Sequence, residues 1–147
     1  MREASAFGVE ASRWSIVFHR RAENWFFSAI AMGHFKHVSA FAFVPGPDVW
    51  LVYDVGFRRT RLVVLPDNEQ SKATLAAIIT GNAVVTMPRR DDNLPLMRLG
   101  LLCTIAVKHL VGIRSSALRP DALFRHCIAH GGALSGDAGP RPTTHSG

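Results

Sequence analysis

HVSAFAFV (residues 37–44), PGPD (45–48) and VWLVYDV (49–55) read as two β-strands joined by a turn, and the rest of the fold is organised around them. Both flanking runs are rich in β-branched and aromatic residues, which suit a pleated, half-buried surface. Between them two prolines, a glycine and an aspartate supply dense turn chemistry, so the unit is a hairpin. Side chains alternate across a strand, which places His37, Ser39, Phe41 and Phe43 on one face and Trp50, Val52 and Asp54 on one face of the return strand. An even loop, Pro45 to Asp48, pairs Val44 with Val49. Ser39 then lies opposite Asp54, with His37 as its diagonal neighbour on the same side. A slip of one residue would separate them.

Outward from the hairpin, residues 1–12 read as a flexible arm, and WSIVFH (14–19) as a strand. Asn24 is suited to cap a short helix through Trp25, Phe26, Ala29 and Ile30 that stops at Gly33. Residues 57–65 (FRRTRLVVL) add a third hairpin-side strand, closed by Pro66, Asp67 and Asn68. Ser71 to Thr80 reads as a helix capped by Ser71 and ended by Gly81. Asn82 to Met87 is another short strand, and Pro88 to Asn93 a polar turn. Leu101 to Val111 forms a helix that terminates at Gly112. A last helix begins near Pro120 and Asp121, a favourable start for both residue types, and runs through Leu123, Phe124, Cys127 and Ile128 to Gly131 and Gly132. Residues 133–147, rich in glycine, proline and small polar residues, read as a disordered tail. The fold class is α+β: one domain over residues 13–132, with a small antiparallel sheet packed against helices.

Composition agrees with that. The chain has 147 residues, 48% hydrophobic and 19% charged, enough for one core and unlike a disordered segment. No internal repeat interrupts it. Two cysteines, Cys103 and Cys127, lie in apolar helical contexts without disulfide-like spacing, which suits reduced thiols and a cytoplasmic setting. The N-terminus lacks a signal-peptide shape. Trp25 to Met32 is too short to span a bilayer, and Leu94 to Ile113 carries Arg98 and Lys108, whereas a spanning helix needs roughly 20 nearly uninterrupted apolar residues. The net charge is +6, and only three of the 17 cationic residues are lysines. Arginine suits phosphates and carboxylates, so a basic nucleic-acid-binding module is one reading; the charges are spread as pairs at 20–21, 58–59 and 89–90, as on a solvated basic face.

The candidate chemistry lies in three residues. Cys103 sits early in the Leu101 helix, where the partial positive charge of a helix N-terminus favours the nucleophilic thiolate. His37 has Asp54 within reach in the hairpin register, and a carboxylate fixes one imidazole tautomer and stabilises its protonated form. Ser39 competes with Asp54 for the third place. The plainer reading of Cys103 is a small buried hydrophobe among Leu, Ile and Ala. His34 is a second candidate base, in the turn before the strand. His126 and His130, four apart on one helix face, have a spacing compatible with a metal, but no second ligand pair accompanies them, so neither metal nor cofactor is expected. The aromatics Trp14, Trp25, Trp50, Phe41 and Phe43 read as core, and no Gly-rich phosphate loop is present.

HVSAFAFV followed by WLVYD, then CTIAVKHLVGI (103–113) and LRPDALFRH (118–126), is similar to small phage- and prophage-associated proteins. These resemble circularly permuted papain-like cysteine hydrolases, relatives of the NlpC-type cell-wall peptidases. The likeness spans Val17 to Gly131, with the His strand preceding the Cys helix. It implies a permuted papain-like fold, Cys103 as nucleophile, His37 as general base and Asp54 as the residue that orients the imidazole. The substrate implied is a peptide or other amide or acyl compound. No Gln or Asn stands just before Cys103, so the Cys103 backbone N–H is the oxyanion donor this reading expects. A catalytically inactive scaffold or accessory protein is the alternative within the same resemblance.

Overall fold

The computed structural model describes residues 11–21, 33–56, 59–90 and 103–136. Within them run β1 (Arg13–His19), β2 (His37–Val44), β3 (Val49–Val55), β4 (Thr60–Pro66), α1 (Glu69–Ile79), β5 (Ala83–Pro88), α2 (Cys103–Val111), α3 (Pro120–Ala129) and β6 (Ala133–Gly136). The strands form one six-stranded sheet in the order β4-β3-β2-β1-β5-β6, and every ladder is antiparallel. The protein is therefore α+β. The helix expected from Asn24 to Gly33 falls on residues 22–32, outside the described residues, as do 1–10, 57–58, 91–102 and 137–147.

The central strands β1, β2 and β5 are covered on both faces, while the edge strand β4 leaves Leu62, Val63 and Val64 exposed. Trp14, Ile16 and Phe18 of β1 join Val38, Ala40, Ala42 and Val44 of β2 and Ala83, Val85 and Met87 of β5. Against this face pack Val107 and Val111 of α2 and Leu123 and Cys127 of α3. Phe18 meets the Phe124 ring edge-on at 5.1 Å, an orientation aromatic quadrupoles favour. The other face buries Val17, Phe41 and Val84 under Leu75, Ile78 and Ile79 of α1. With apolar layers on both sides, a one-residue slip of β1 or β2 would exchange the two sets, so burial as well as the turn fixes the register.

The hairpin has the register expected from its loop: Val44 pairs with Val49 and Ser39 with Asp54. Other boundaries differ. Asn68, not Ser71, caps α1, its side chain accepting from the Ser71 N–H at 2.8 Å. Pro66 ends β4 and Asp67 is engaged by the Trp50 indole and the Asp48 carbonyl, which leaves Asn68 to cap the helix, and Ser71 falls three residues into it with its own N–H needing that acceptor. Ala11 is buried, and the Ser12 carbonyl accepts from the Arg89 N–H at 2.9 Å, so residues 11 and 12, expected in the arm, are held against the sheet.

The tail assignment also changes at its start, because Ala133–Gly136 is β6, paired along β5 from Thr86↔Ala133 to Ala83↔Gly136. The β5 edge offers backbone donors and acceptors that need partners, and Gly131, at φ 86°, turns the chain back to them. Gly112, at φ 77°, ends α2 where an added Cβ would fall 1.8 Å from the Arg90 carbonyl oxygen. Glycine is required there both for its backbone angle and for the close approach of the chain. No helix among the described residues is long and apolar enough to cross a membrane.

Candidate active site

His37 opens β2, so its ring lies at the margin of the sheet. The hairpin register places Asp54 diagonally beside it, and His37 Nε2 and Asp54 Oδ1 are 2.6 Å apart. That contact is short, as expected for a charge-assisted hydrogen bond. The two side chains are 24% and 30% exposed, partly shielded but reachable from solvent.

From the helical layer, Cys103 begins α2 and brings its half-buried thiol to the same place. The sulfur hydrogen-bonds the His37 ring and also accepts from the Val38 backbone N–H and the Thr104 hydroxyl. Since Asp54 occupies Nε2, Nδ1 is the ring nitrogen left for the thiol. The structure thus brings Cys103, His37 and Asp54 together in that order of contact.

The charges support one another. Burial works against a charged His37, but the hydrogen bonds it donates to Asp54 and Cys103 and their negative charges outweigh it and lift the imidazole to about 10. Asp54 is held below its ordinary range, first by the hydrogen bond to His37, against the opposing effect of burial, and then by the charges of His37, His19 and Arg61. Burial by itself would push the Cys103 thiol up. The His37 hydrogen bond and charge, the Val38 N–H and the Thr104 hydroxyl together bring it below its ordinary value. Each shift moves the dyad toward thiolate and imidazolium, the form in which sulfur is nucleophilic.

One member of this site is missing from the sequence reading. His19, the last residue of β1, pairs directly across the ladder with His37, and the ring centroids are 5.3 Å apart. Its Nε2 lies 2.7 Å from Ser39 Oγ. Ser39, the rival for the third place, is therefore engaged with His19, while Asp54 holds His37. The β1–β2 pairing spans a long connection, so alternation within β1 alone gives no hint of it.

Other candidates lie elsewhere. His34 has its backbone N–H on Asp121 Oδ1 at 3.0 Å and its ring against Phe35. Lys108, on α2, donates to the Ser115 and Ala117 carbonyls at 2.8 and 2.7 Å and holds the segment after the helix. His126 and His130 stack with centroids 3.9 Å apart, and the His130 Nδ1–H donates to the His126 carbonyl. No group of three or more metal-ligating side chains occurs among the described residues. Cys127 is buried in the core, and burial pushes its thiol up to about 12, against a small opposing effect of Arg90. The chain matches no protein-family model, no curated protein and no solved structure.

Proposed function

We propose that the chain is a cysteine hydrolase of amide, peptide or other acyl substrates, with a permuted papain-like arrangement and a phage or mobile-element association. The observation that carries this reading is the Cys103 thiol hydrogen-bonded to an imidazole that is itself 2.6 Å from Asp54. A nucleophile, a base and an orienting carboxylate in hydrogen-bond succession are the parts that acyl transfer requires.

In the first half-reaction the Cys103 thiolate attacks the acyl carbon and a carbon–sulfur bond forms. Charge collects on the carbonyl oxygen, toward which the Cys103 backbone N–H at the start of α2 is the donor proposed. Collapse breaks the bond to the leaving group, and the His37 imidazolium gives it the proton. The imidazole, now neutral, takes a proton from water as the oxygen attacks the thioester. The acid is released, and the thiolate and imidazolium are restored. Asp54 keeps the ring in one tautomer and stabilises its cationic form throughout. The inactive-scaffold reading is disfavoured by a thiol that is only half-buried and already bonded to its base.

The test is iodoacetamide labelling across pH, with an activated ester as acyl donor. Cys103 is expected to alkylate at pH 6 well above the rate of a free thiol, to carry the acyl group by mass spectrometry, and to lose both properties in His37→Ala. A Cys103 that reacts as a free thiol does, with His37→Ala unchanged, removes the enzyme reading.

A further inference from the structure

The His37 ring has two flanks within the sheet. Asp54 occupies the β3 side. On the β1 side stands His19, directly opposite His37 in the ladder, with a hydrogen-bond chain behind it that has a definite direction. Asn82 anchors this chain. Its Oδ1 accepts from the Arg20 backbone N–H at 3.3 Å and its Nδ2 donates to the Ile78 carbonyl at 2.8 Å, so both ends of the amide are assigned by backbone groups that cannot exchange roles. The second Nδ2 hydrogen is directed at His19 Nδ1, 3.4 Å away. Nδ1 is then the acceptor and Nε2 carries the proton, which it donates to Ser39 Oγ at 2.7 Å.

This arrangement holds only for a neutral ring. A doubly protonated His19 would set an Nδ1–H against the Asn82 NH₂, donor against donor. The charged groups facing His19 are His37 from β2 and Asp54 from β3, and a second cation beside His37 would oppose the imidazolium that the site needs. Burial is the first cause, and the His37 charge the second, of a His19 pushed down to about 4, in agreement with the donor pattern.

We propose that His19 is a positioning residue of the Cys103–His37–Asp54 site, a neutral imidazole that, through its bond to Ser39, closes the flank of the His37 ring that Asp54 does not reach. This inference rests on the hydrolase reading. Its physical content is orientation and exclusion of water. With His19 and Ser39 joined, the His37 ring is confined between β1 and β3 and water is kept from that flank of its contact with the Cys103 sulfur. Without that bond, water enters beside the ring, the thiolate–imidazolium attraction is screened, and the thiol titrates at higher pH.

The test is the pH profile of Cys103 alkylation by iodoacetamide in the full chain, for wild type, His19→Ala, His19→Gln and Ser39→Ala. His19→Ala and Ser39→Ala are expected to move the thiolate midpoint upward and to slow alkylation at pH 6 by about two- to tenfold, the size of one neutral hydrogen bond. His19→Gln keeps a neutral N–H donor toward Ser39 and is expected to stay within about twofold of wild type. A folded His19→Ala and Ser39→Ala with the wild-type profile would overturn the proposal and leave His19 a structural residue only. The proposal is equally overturned if Ser39→Ala is normal while His19→Gln fails. Should His19→Ala not fold, Ser39→Ala, which deletes a single oxygen, decides alone. A wild-type Cys103 that titrates like a free thiol overturns the hydrolase reading and this one with it, and that result is visible before any variant is made.

Discussion

Replacing Asp54 by asparagine keeps the size of the side chain and one oxygen for His37 Nε2 but removes the charge. The His37 imidazole is lifted from 6.5 to about 10 by Asp54 and Cys103 acting together against burial. At roughly 1.4 kcal/mol per pH unit the whole lift corresponds to about 5 kcal/mol. Asp54 cannot supply all of it, since a hydrogen bond to a charged group contributes roughly 1.5–3 kcal/mol. Both side chains are less than a third exposed, at 24% and 30%, so solvent screening does not erase the interaction. Asp54→Asn should therefore lower the His37 midpoint by about 1–2 pH units, which leaves it above 7. Imidazolium remains the main form at neutral pH, and alkylation of Cys103 there should fall by no more than about threefold. Turnover should fall further, because an asparagine amide that rotates its NH₂ toward Nε2 selects the wrong tautomer for deacylation. Nuclear magnetic resonance titration of the His37 ring reads the midpoint, and ester hydrolysis reads turnover. An unmoved midpoint would show that the 2.6 Å contact carries no electrostatic coupling. A fall to 6.5 or below would show that Cys103 does no more than offset burial and adds nothing to the net lift; either result refutes a net lift shared between Asp54 and Cys103.

The two thiols should separate cleanly: mass spectrometry after limited alkylation is expected to find label on Cys103 and none on Cys127, whose buried thiol is pushed up to about 12, until denaturant opens the core. Stability should fall on acidification from about 6.5 to about 4, because the unfolded chain protonates His19 at its ordinary value while the folded chain resists to about 4. The cost is at most roughly 3 kcal/mol, and His19→Gln should flatten that limb in urea titrations run at each pH. His37 acts in the opposite window, its contribution being complete below 6.5 and lost as pH rises through about 10. Lys108→Met should cost about 1–3 kcal/mol by urea unfolding, since it strips the Ser115 and Ala117 carbonyls of their donor while nearly conserving volume; an unchanged midpoint would show that water replaces the ammonium without loss.

How far the sequence could be read depended on the distance over which each feature is determined. The Asp54 to His37 juxtaposition was legible because it needs only alternation and the parity of a four-residue turn, and the pairing of Val44 with Val49 satisfies both. The start of α1 was misplaced by three residues because Asn68 and Ser71 are both good caps, and the end of β4 at Pro66 decides between them. β6 was invisible because four residues such as ALSG carry no period, and their strand conformation is imposed by the open edge of β5. His19 was missed for a related reason: its neighbour in space is set by β1 pairing with β2 across a long connection, and no local pattern encodes that partner.

The same facts explain why the site sits where it does. Three adjacent strands, β1, β2 and β3, each place one or two polar side chains at one end of one face: His19, then His37 with Ser39, then Asp54. Farther along that face the residues turn apolar, with Val17 and Phe41 buried beneath α1. The imidazole thus has a rigid, dry floor on one side and the sheet margin on the other, which is where α2 delivers the thiol. Register is then the variable that joins stability to chemistry. A shift of one residue between β1 and β2 would bring Val38 or Phe18, according to which strand slips, to the α1 face and carry one histidine away from the other, so any substitution that keeps the apolar layers also keeps the two histidines face to face. The core specifies the geometry of the Cys103–His37–Asp54 cluster without belonging to it, and the choice of side chains at positions 19, 37, 39, 54 and 103 sets what that geometry can do chemically.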